Sequence, residues 1–425
     1  MAGMVLRFLI LPALAAMAAQ AADVQAFTGA RIVDGSGKPA IERGVIITRA
    51  GRIEQVGPAD KVKIPAGAEK IDLAGKTIVP GLINTHGHVG EAQGLRTGPE
   101  LYTNENLQRQ LGLYARYGVT TVYSLGGDRE LGFQLRDSQD TPSLNRARIY
   151  VAGPVIVGKT PEEAAKMVDQ VAAMKPNFIK IRVDDQLGTT AKMTPDVSKA
   201  VIERAHHYKL PLAAHIFYLD DARYLLQNGA DYIAHSIRDQ EIDAGTIAML
   251  KKRDVCVCPT LTREVSPFVY ESRPAFFDDP FFLKEADKHV LDQLLDPKRQ
   301  EAMRKSVAAQ RYKVALEMAS KNLKKLVDSG VRVAFGTDTG PPARFQGYFE
   351  HMEMDLMAKA GLTPAQILRS ATSDAAKCMN APGRLGTLEK GAWADLLVLD
   401  KDPMADVKNF HAIHSVWIAG NRVQR

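Results

Sequence analysis

The sequence predicts an α/β protein: a (β/α)8 barrel of the TIM type, with a small β-sandwich domain formed from both termini. Three observations carry this expectation. The middle of the chain alternates short apolar runs with helical stretches, and both ends are dominated by short β-type segments. Titratable side chains recur where the apolar runs end, and barrel proteins place their chemistry at the C-terminal ends of the strands, which favours a closed barrel over a doubly wound sheet. The length, 425 residues, suits a large barrel with an accessory domain. Apolar residues make up 45% and charged residues 24%, ordinary proportions for a globular protein with a large core.

The first residues read as a signal peptide rather than as part of the fold. Arg7 supplies a positive start, Phe8 to Ala19 is apolar but for Pro12, and Ala19-Gln20-Ala21 offers small residues for cleavage. About a dozen apolar residues span roughly 18 Å as a helix, short of a ~30 Å hydrocarbon core. The partition is therefore a signal peptide over residues 1–21 and a mature start at Ala22 or Asp23, giving a periplasmic or secreted protein. No cysteine marks a lipid-anchored start, and no later stretch is apolar enough for stable membrane insertion.

Residues 22–79 form the first part of the sandwich, with β segments at Ala30 to Val33, Val45 to Thr48 and Arg52 to Val56, and Ala50-Gly51 as a hairpin turn. The texture returns over 384–425, at Ala394 to Leu399 and Ser415 to Gly420. The barrel takes 80–383. Its strand candidates are Leu82 to Thr85, Thr120 to Ser124, Ile149 to Val157, Phe178 to Val183, Leu212 to His215, Tyr232 to His235, Val255 to Cys258 and Val331 to Gly336. Helical stretches between them include Pro161 to Met174, Pro195 to Tyr208 and Tyr218 to Gln227. One connection, 264–322, is abnormally long and carries Phe268, Tyr270, Phe276, Phe277, Phe281 and Phe282. It reads either as a decorated loop with its own small core or as a lid over the mouth.

Cys256 and Cys258 lie two apart in an apolar run, badly placed to bridge each other, and read as small core residues. The formal charge of +6 is not clustered and accompanies no nucleic-acid motif, so a small-molecule substrate is expected and no nucleic acid.

Six residues concentrate the chemistry. His86 and His88 follow the first strand, and residues two apart on a strand face the same way, so both imidazoles reach one point. Lys180 is a charge inside the apolar run Phe178-Ile179-Lys180-Ile181; His215 and His235 end the fifth and sixth strands, and Asp338 follows Gly336-Thr337 after the eighth. Singly, each has an ordinary explanation: a hydrogen-bonded histidine, a snorkelling lysine, a helix-capping aspartate. Together they recur in barrel order at one face.

With these residues in place, the chain resembles the amidohydrolase superfamily, most closely its imidazolonepropionase-like and metal-dependent prolidase branch. The marks are Val79-Pro80-Gly81-Leu82-Ile83-Asn84-Thr85-His86-Gly87-His88, Gly118-Val119-Thr120-Thr121, Gly336-Thr337-Asp338, Ala371-Thr372-Ser373, and Gly386-Thr387-Leu388-Glu389-Lys390-Gly391-Ala392-Trp393-Ala394-Asp395-Leu396. The resemblance covers nearly all of the mature chain. It implies two divalent metal ions, zinc by preference: His86, His88 and Asp338 on the more buried one, His215 and His235 on the other, and Lys180 as a carbamate between them. Asp338 would also be the catalytic proton shuttle. A homo-oligomer is expected.

The residues add detail to that resemblance. A lysine buried in a barrel mouth favours its neutral amine, the form that takes up carbon dioxide. Single-metal deaminases of the superfamily carry Glu three residues after the fifth-strand histidine; here that position is Tyr218, and the bridging lysine is present, so deamination is disfavoured. Prolidase-like relatives place Glu before the sixth-strand histidine, where this chain has Ala234. Candidate substrate contacts are Arg182, Tyr218 and Arg238, with Arg263 also near a strand end, since a forked guanidinium suits a carboxylate. Each could equally be paired to Asp184, Asp185 or Asp239. His351 and Glu353 are expected to pack or to support the site. The expected reaction is hydrolysis of an amide, peptide or cyclic amide C–N bond, as in an Xaa-Pro dipeptide or N-acyl amino acid. The alternatives are an esterase, lactonase or phosphotriesterase on the same site, and a non-catalytic barrel that lost its chemistry.

Overall fold

The computed structural model describes residues 23–381 and 383–425. The expected signal peptide lies outside the described residues. Five strands come first: β1 (Val24–Ile32), β2 (Ile41–Arg49), β3 (Arg52–Pro58), β4 (Glu69–Asp72) and β5 (Thr77–Pro80). They join the last three, β15 (Leu396–Leu399), β16 (Ile413–Ile418) and β17 (Asn421–Arg422), in one 8-stranded sheet ordered β17-β16-β15-β5-β1-β2-β3, with β4 beside β1. The two ends of the chain meet where β5 pairs antiparallel with β15.

Strand alternation decides what each face buries. In β15, Leu396 and Val398 enter the sheet's own core with Phe27, Ile46, Ile78 and Trp417, whereas Leu397 and Leu399 face the main core of the molecule. In β2, Ile46 faces that first small core while Val45 and Ile47 face another, with Ala26 and Val62. The terminal strands thus form one continuous sheet with apolar side chains buried on both faces.

The barrel strands are β6 (Leu82–Gly87), β9 (Val119–Ser124), β10 (Arg148–Val151), β11 (Ile179–Val183), β12 (Leu212–Ile216), β13 (Tyr232–Ala234) and β14 (Cys256–Cys258), all paired in parallel. A short hairpin, β7 (Ala92–Gln93) with β8 (Arg96–Thr97), rises from the loop after β6. The eighth barrel segment is irregular, but it closes the ring through parallel bridges Val257↔Val333 and Gly87↔Thr339, and Ile156↔Ile181 joins the two halves. Gly336 permits that closure: a Cβ there would sit 2.5 Å from Cys258 Sγ and 2.9 Å from the His86 nitrogen.

The surrounding helices are α1 (Asn104–Arg116), α2 (Glu130–Asp137), α3 (Pro161–Ala173), α4 (Pro195–His207), α5 (Leu219–Asn228) and α6 (Ala244–Lys252). Those expected from sequence begin and end within one residue of their predicted bounds. In α3 the signals are legible: Thr160 accepts from the Glu163 amide, Pro161 opens the first turn, and Ala164, Val168 and Val171 bury one face. No helix among the described residues is long and apolar enough to cross a membrane.

The long connection holds α7 (Leu261–Val265), a 3-10 turn (Ala275–Asp278), α8 (Pro280–Leu283), α9 (Lys288–Leu294) and α10 (Pro297–Lys305) before α11 (Val307–Asp328). Then follow α12 (Tyr348–Lys359), α13 (Pro364–Ser370) and α14 (Ser373–Cys378). Tyr270, Phe277, Phe281 and Phe282 are buried. They form edge and stacked contacts with one another and with Tyr117, Phe345 and Tyr348. These rings are committed to packing between the insertion and α12, which is the reading of a loop with its own core.

One expectation is corrected. Cys256 is not a free core residue: it is disulfide-bonded to Cys378, 122 residues away, so the end of α14 is tied to β14. Spacing along one strand carries no information about a partner that distant. Cys258 is the buried free thiol.

Candidate metal centre

The six side chains singled out in the sequence converge on the mouth of the barrel. His86 and His88 leave β6 and its end on the same side, and with Asp338 they place ligand atoms within 4.8 Å of one another. Asp338 Oδ1 lies 2.9 Å from His88 Nε2 and 3.4 Å from His86 Nε2. Lys180 Nζ stands 3.3 Å from His86 Nε2. His86 and His235 approach with ring centroids 4.6 Å apart, and His235 and His215 with centroids 4.1 Å apart.

Local backbone geometry aims two of these groups. His235 and Asp338, each just past a strand, take left-handed conformations with φ of 74° and 59°, and Thr260 after β14 does so at 47°. Such values are uncommon for residues with a Cβ and persist only where the surroundings enforce them. At Asp338 the enforcement is a buried network. Glu350, at the start of α12, accepts from Asn84, Thr337, Thr339 and the Gly347 amide. Asn84 in turn accepts from the His86 amide at 2.9 Å. Strand one and the eighth segment are thereby pinned beneath their ligands.

The protonation states suit cations. Burial pulls His86 and His235 well below the ordinary imidazole range and His215 down to about 3, so all three are neutral and keep a lone pair. Burial brings Lys180 down to about 8, against the opposing pull of Asp338, so a neutral amine is within reach at neutral pH. Burial alone would raise Asp338; the Arg344 charge beside it overcomes that and keeps the carboxylate ionised.

Hydrogen bonds to the far side of the rings choose which nitrogen faces the centre. His88 Nδ1 donates to the Gly126 carbonyl at 3.1 Å, leaving Nε2 for Asp338's side. His215 Nε2 donates to Asp184 Oδ2 at 2.7 Å, and His235 Nδ1 lies 2.6 Å from Thr260 Oγ1. That leaves His215 Nδ1 and His235 Nε2 facing each other at 2.9 Å. With Thr260 donating to Nδ1, His235 Nε2 donates to His215 Nδ1; with Thr260 accepting, both inner nitrogens present lone pairs, the arrangement that receives a cation. His86 Nδ1 is buried and without a hydrogen-bond partner among the described residues, while its Nε2 faces Asp338 and Lys180. The donor set fits divalent metal ions: imidazoles and a carboxylate, with His88, His215 and His235 oriented from behind by fixed partners.

The other candidates from the sequence divide. Arg182 is exposed and makes no ion pair among the described residues. Tyr218 is half-buried and donates to Asp185 at 2.9 Å. Arg238 departs from the expectation: it is 2% exposed, pairs with Glu264 at 3.0 Å, and donates to the Ile216 and Ser236 carbonyls. Its charge is consumed behind the mouth, because the chain turns at His235 and directs the following loop inward. Arg263 stands nearer, 3.8 Å from Asp184 and 3.9 Å from Asp338, but it too is tied to Glu264 at 3.1 Å. His351 packs on Phe281 and meets the Tyr117 carbonyl at 2.8 Å, and Glu353 accepts from the Leu261 and Thr262 amides, both supporting roles.

Sequence reasoning misses Asp184, Thr260 and Glu350 as ligand supports, and Arg344 as the cation on Asp338. Asp184, four residues beyond Lys180, reads from the sequence only as an arginine partner; the other three carry no distinguishing signal. Beside the centre, His88, Glu91, Ala92, Thr97, Gly98, Pro99 and Gly340 to Pro342 enclose a cleft of about 330 Å³. That volume is on the scale of small-ligand sites, roughly 300–1,000 Å³.

Comparison with known proteins agrees with this geometry. The model of the Amidohydrolase family matches residues 77–423. An imidazolonepropionase of Geobacillus kaustophilus is 23% identical over 411 residues, covering 88% of each chain. Among solved structures, a putative prolidase from Bifidobacterium longum superposes with a TM-score of 0.76 at 25% identity, covering 95% of both chains. A Xaa-Pro dipeptidase with methionine bound in its active site also gives 0.76, at 20% identity, over 95% of this chain and all of that one. The chain belongs to the amidohydrolase family and is a hydrolase of carbon–nitrogen bonds.

Proposed function

We propose that this chain is an exported binuclear amidohydrolase that cleaves a small amide such as an Xaa-Pro dipeptide or an N-acyl amino acid. The observation that supports it most is the facing pair His215 Nδ1 and His235 Nε2 beside the group His86, His88 and Asp338, with Lys180 adjoining His86. His86, His88 and Asp338 would hold one ion, His215 and His235 the other, and Lys180 would bridge them. Its neutral amine adds to carbon dioxide, losing one proton, to give an anionic carbamate oxygen donor. Two divalent ions held there, zinc by the imidazole-rich donor set, would supply a nucleophilic hydroxide at neutral pH and polarise the scissile carbonyl.

The residues divide the remaining work. Asp338, ionised at rest, accepts the proton of the attacking water and passes it to the departing nitrogen. Asp184 and Thr260 hold the imidazoles in the tautomers that face inward. The cleft beside His88 admits a substrate of dipeptide size, walled by Pro99, Pro341 and Pro342.

Export is supported by the signal-like first residues and by the Cys256–Cys378 bond, since such bonds persist mainly in oxidising compartments. Mass spectrometry of protein from a periplasmic extract should give a mature start near Ala22 and only one free thiol. The reaction is tested by a panel of Xaa-Pro dipeptides, N-acyl amino acids, lactones and phosphotriesters on the zinc-loaded protein. Hydrolysis of the first two groups is expected. Folded, metal-loaded protein that cleaves only esters would overturn the amide assignment.

A further inference from the structure

We propose that α10 and the first turns of α11 form a docking surface for an anionic lipid bilayer, on which the protein adsorbs without spanning it. The inference stands apart from the hydrolase reading, because this face of the insertion carries none of the proposed ligands.

Charge is the first observation. Residues 297–314 hold Lys298, Arg299, Arg304, Lys305, Arg311 and Lys313 against a single acid, Glu301. The formal charge of the whole chain is +6, so charge that reads as unclustered over the full length is gathered here. Two of these cations are spent internally: Lys305 pairs with Glu301 at 2.5 Å and Lys313 with Glu271 at 2.7 Å. Lys298, Arg299, Arg304 and Arg311 are exposed and have no carboxylate partner among the described residues. One such cation is ordinary on a surface; several side by side raise the local potential and attract a polyanion.

Apolar exposure chooses among polyanions. α11 buries one face, with Ala309, Tyr312, Ala315, Ala319 and Leu323. On the opposite face Val307 and Val314 are 73% and 67% exposed. They lie two helical turns apart and so in line, with Arg311 between them. α10 buries none of its residues fully, and of its apolar side chains only Met303 packs against the core. A nucleic acid or other soluble polyanion would satisfy the cations and leave the valines in water. An anionic bilayer satisfies both: phosphate headgroups meet the cations, and the interfacial layer beneath them takes the apolar side chains.

Placement leaves the mouth in use. Arg311 Nη1 donates to the Leu187 carbonyl at 3.2 Å, beyond the end of β11, and Tyr312 meets Phe217, beyond β12, with ring centroids 6.4 Å apart. The surface therefore borders the β11–β12 side of the ring. The cleft opens on the other side, between the β7–β8 hairpin and the loop after the eighth segment. A bilayer met by the first side leaves the second open.

The test is co-sedimentation with vesicles of phosphatidylcholine alone and of phosphatidylcholine mixed with phosphatidylglycerol. The protein starts at Ala22, so that the apolar leader contributes nothing. Wild type should bind the anionic vesicles and not the neutral ones, and raised salt should release it. Lys298→Gln with Arg299→Gln should weaken binding about 25-fold, or about fivefold for each cation at a charged bilayer. Val307→Ser with Val314→Ser should weaken it about tenfold and keep the salt dependence. Lys251→Gln with Lys252→Gln, an exposed pair on α6, removes the same charge elsewhere and should change binding by less than about twofold. Thermal melting of all three variants should match wild type. Absence of binding to anionic vesicles, or an equal loss in the α6 variant, would overturn the assignment. Full binding by the serine variant would overturn it in favour of a surface for soluble polyanions. A dimer that forms without lipid and is broken by the serine variant would give the valines to a second copy of the chain instead. Hydrolysis is not read, so failure of the proposed reaction and failure of docking are separate results.

Discussion

The two halves of the metal centre are built differently. On the side of β6 and the eighth segment, three ligands approach one another closely, and the buried Glu350 network fixes their backbones from below. On the side of β12 and β13, there are only two imidazoles, and each is fixed from behind by one side chain, Asp184 or Thr260. The first half contains its own charge in Asp338; the second is neutral at its inner face and takes its order from hydrogen bonds. The lesson is that the first half depends on backbone placement and the second on tautomer choice. They should fail in different ways.

The largest effect is expected at the first half. Asp338→Asn should cut kcat by about 10²–10⁴-fold, the usual worth of a positioned proton shuttle, while metal analysis still finds most of the zinc. Substantial activity in a clean preparation would remove the shuttle role.

The second half should break through affinity. Asp184→Asn frees His215 Nε2 from its anion and should weaken one of two zinc sites by about 10–100-fold, as losses of such supporting partners do. A competitive chelator titration should then resolve one tight and one weak ion. Equal weakening of both would deny the independence of the halves. Thr260→Val removes only a neutral partner of His235, and about fivefold at the same site is expected, from a hydrogen bond worth roughly 1 kcal/mol.

A last effect is one of slope, read as stability rather than activity or affinity. Burial lifts Glu353 up to about 7, against the amide hydrogen bonds that favour its ionised form. Its folded value lies above its unfolded one, so its contribution to stability is complete below the unfolded value and is lost as pH rises to about 7. Between pH 5 and 7 the cost should accumulate at up to about 1.4 kcal/mol per pH unit. Thermal melting of Glu353→Gln across that range should show a flatter profile than wild type, even though the variant is less stable throughout. An unchanged profile would mean that Glu353 is ionised at both ends.

These contrasts also explain what can be read from the sequence. The ligands are legible because their residue types are rare at strand ends and recur in barrel order: His86, His88, Lys180, His215, His235 and Asp338 all meet at the mouth. Helices such as α3 are legible from a capping threonine, a proline and an apolar stripe. Supporting residues are not. Asp184, Thr260 and Glu350 are ordinary acids and hydroxyls whose role depends on loops meeting across the barrel, and Arg344 resembles any loop arginine until its distance to Asp338 is known. Arg238 misleads for the converse reason, since sequence places it after a strand but not on which side of the turn. The Cys256–Cys378 bond is invisible because it joins elements brought together only by ring closure.

The central claim is that both halves hold an ion and that Lys180 joins them. Anomalous diffraction from zinc-soaked crystals tests it most directly. Two peaks are predicted, one against His86, His88 and Asp338 and one against His215 Nδ1 and His235 Nε2, with added density on Lys180 Nζ reaching both. A single peak, or a bare Lys180 turned from the mouth, would contradict the account.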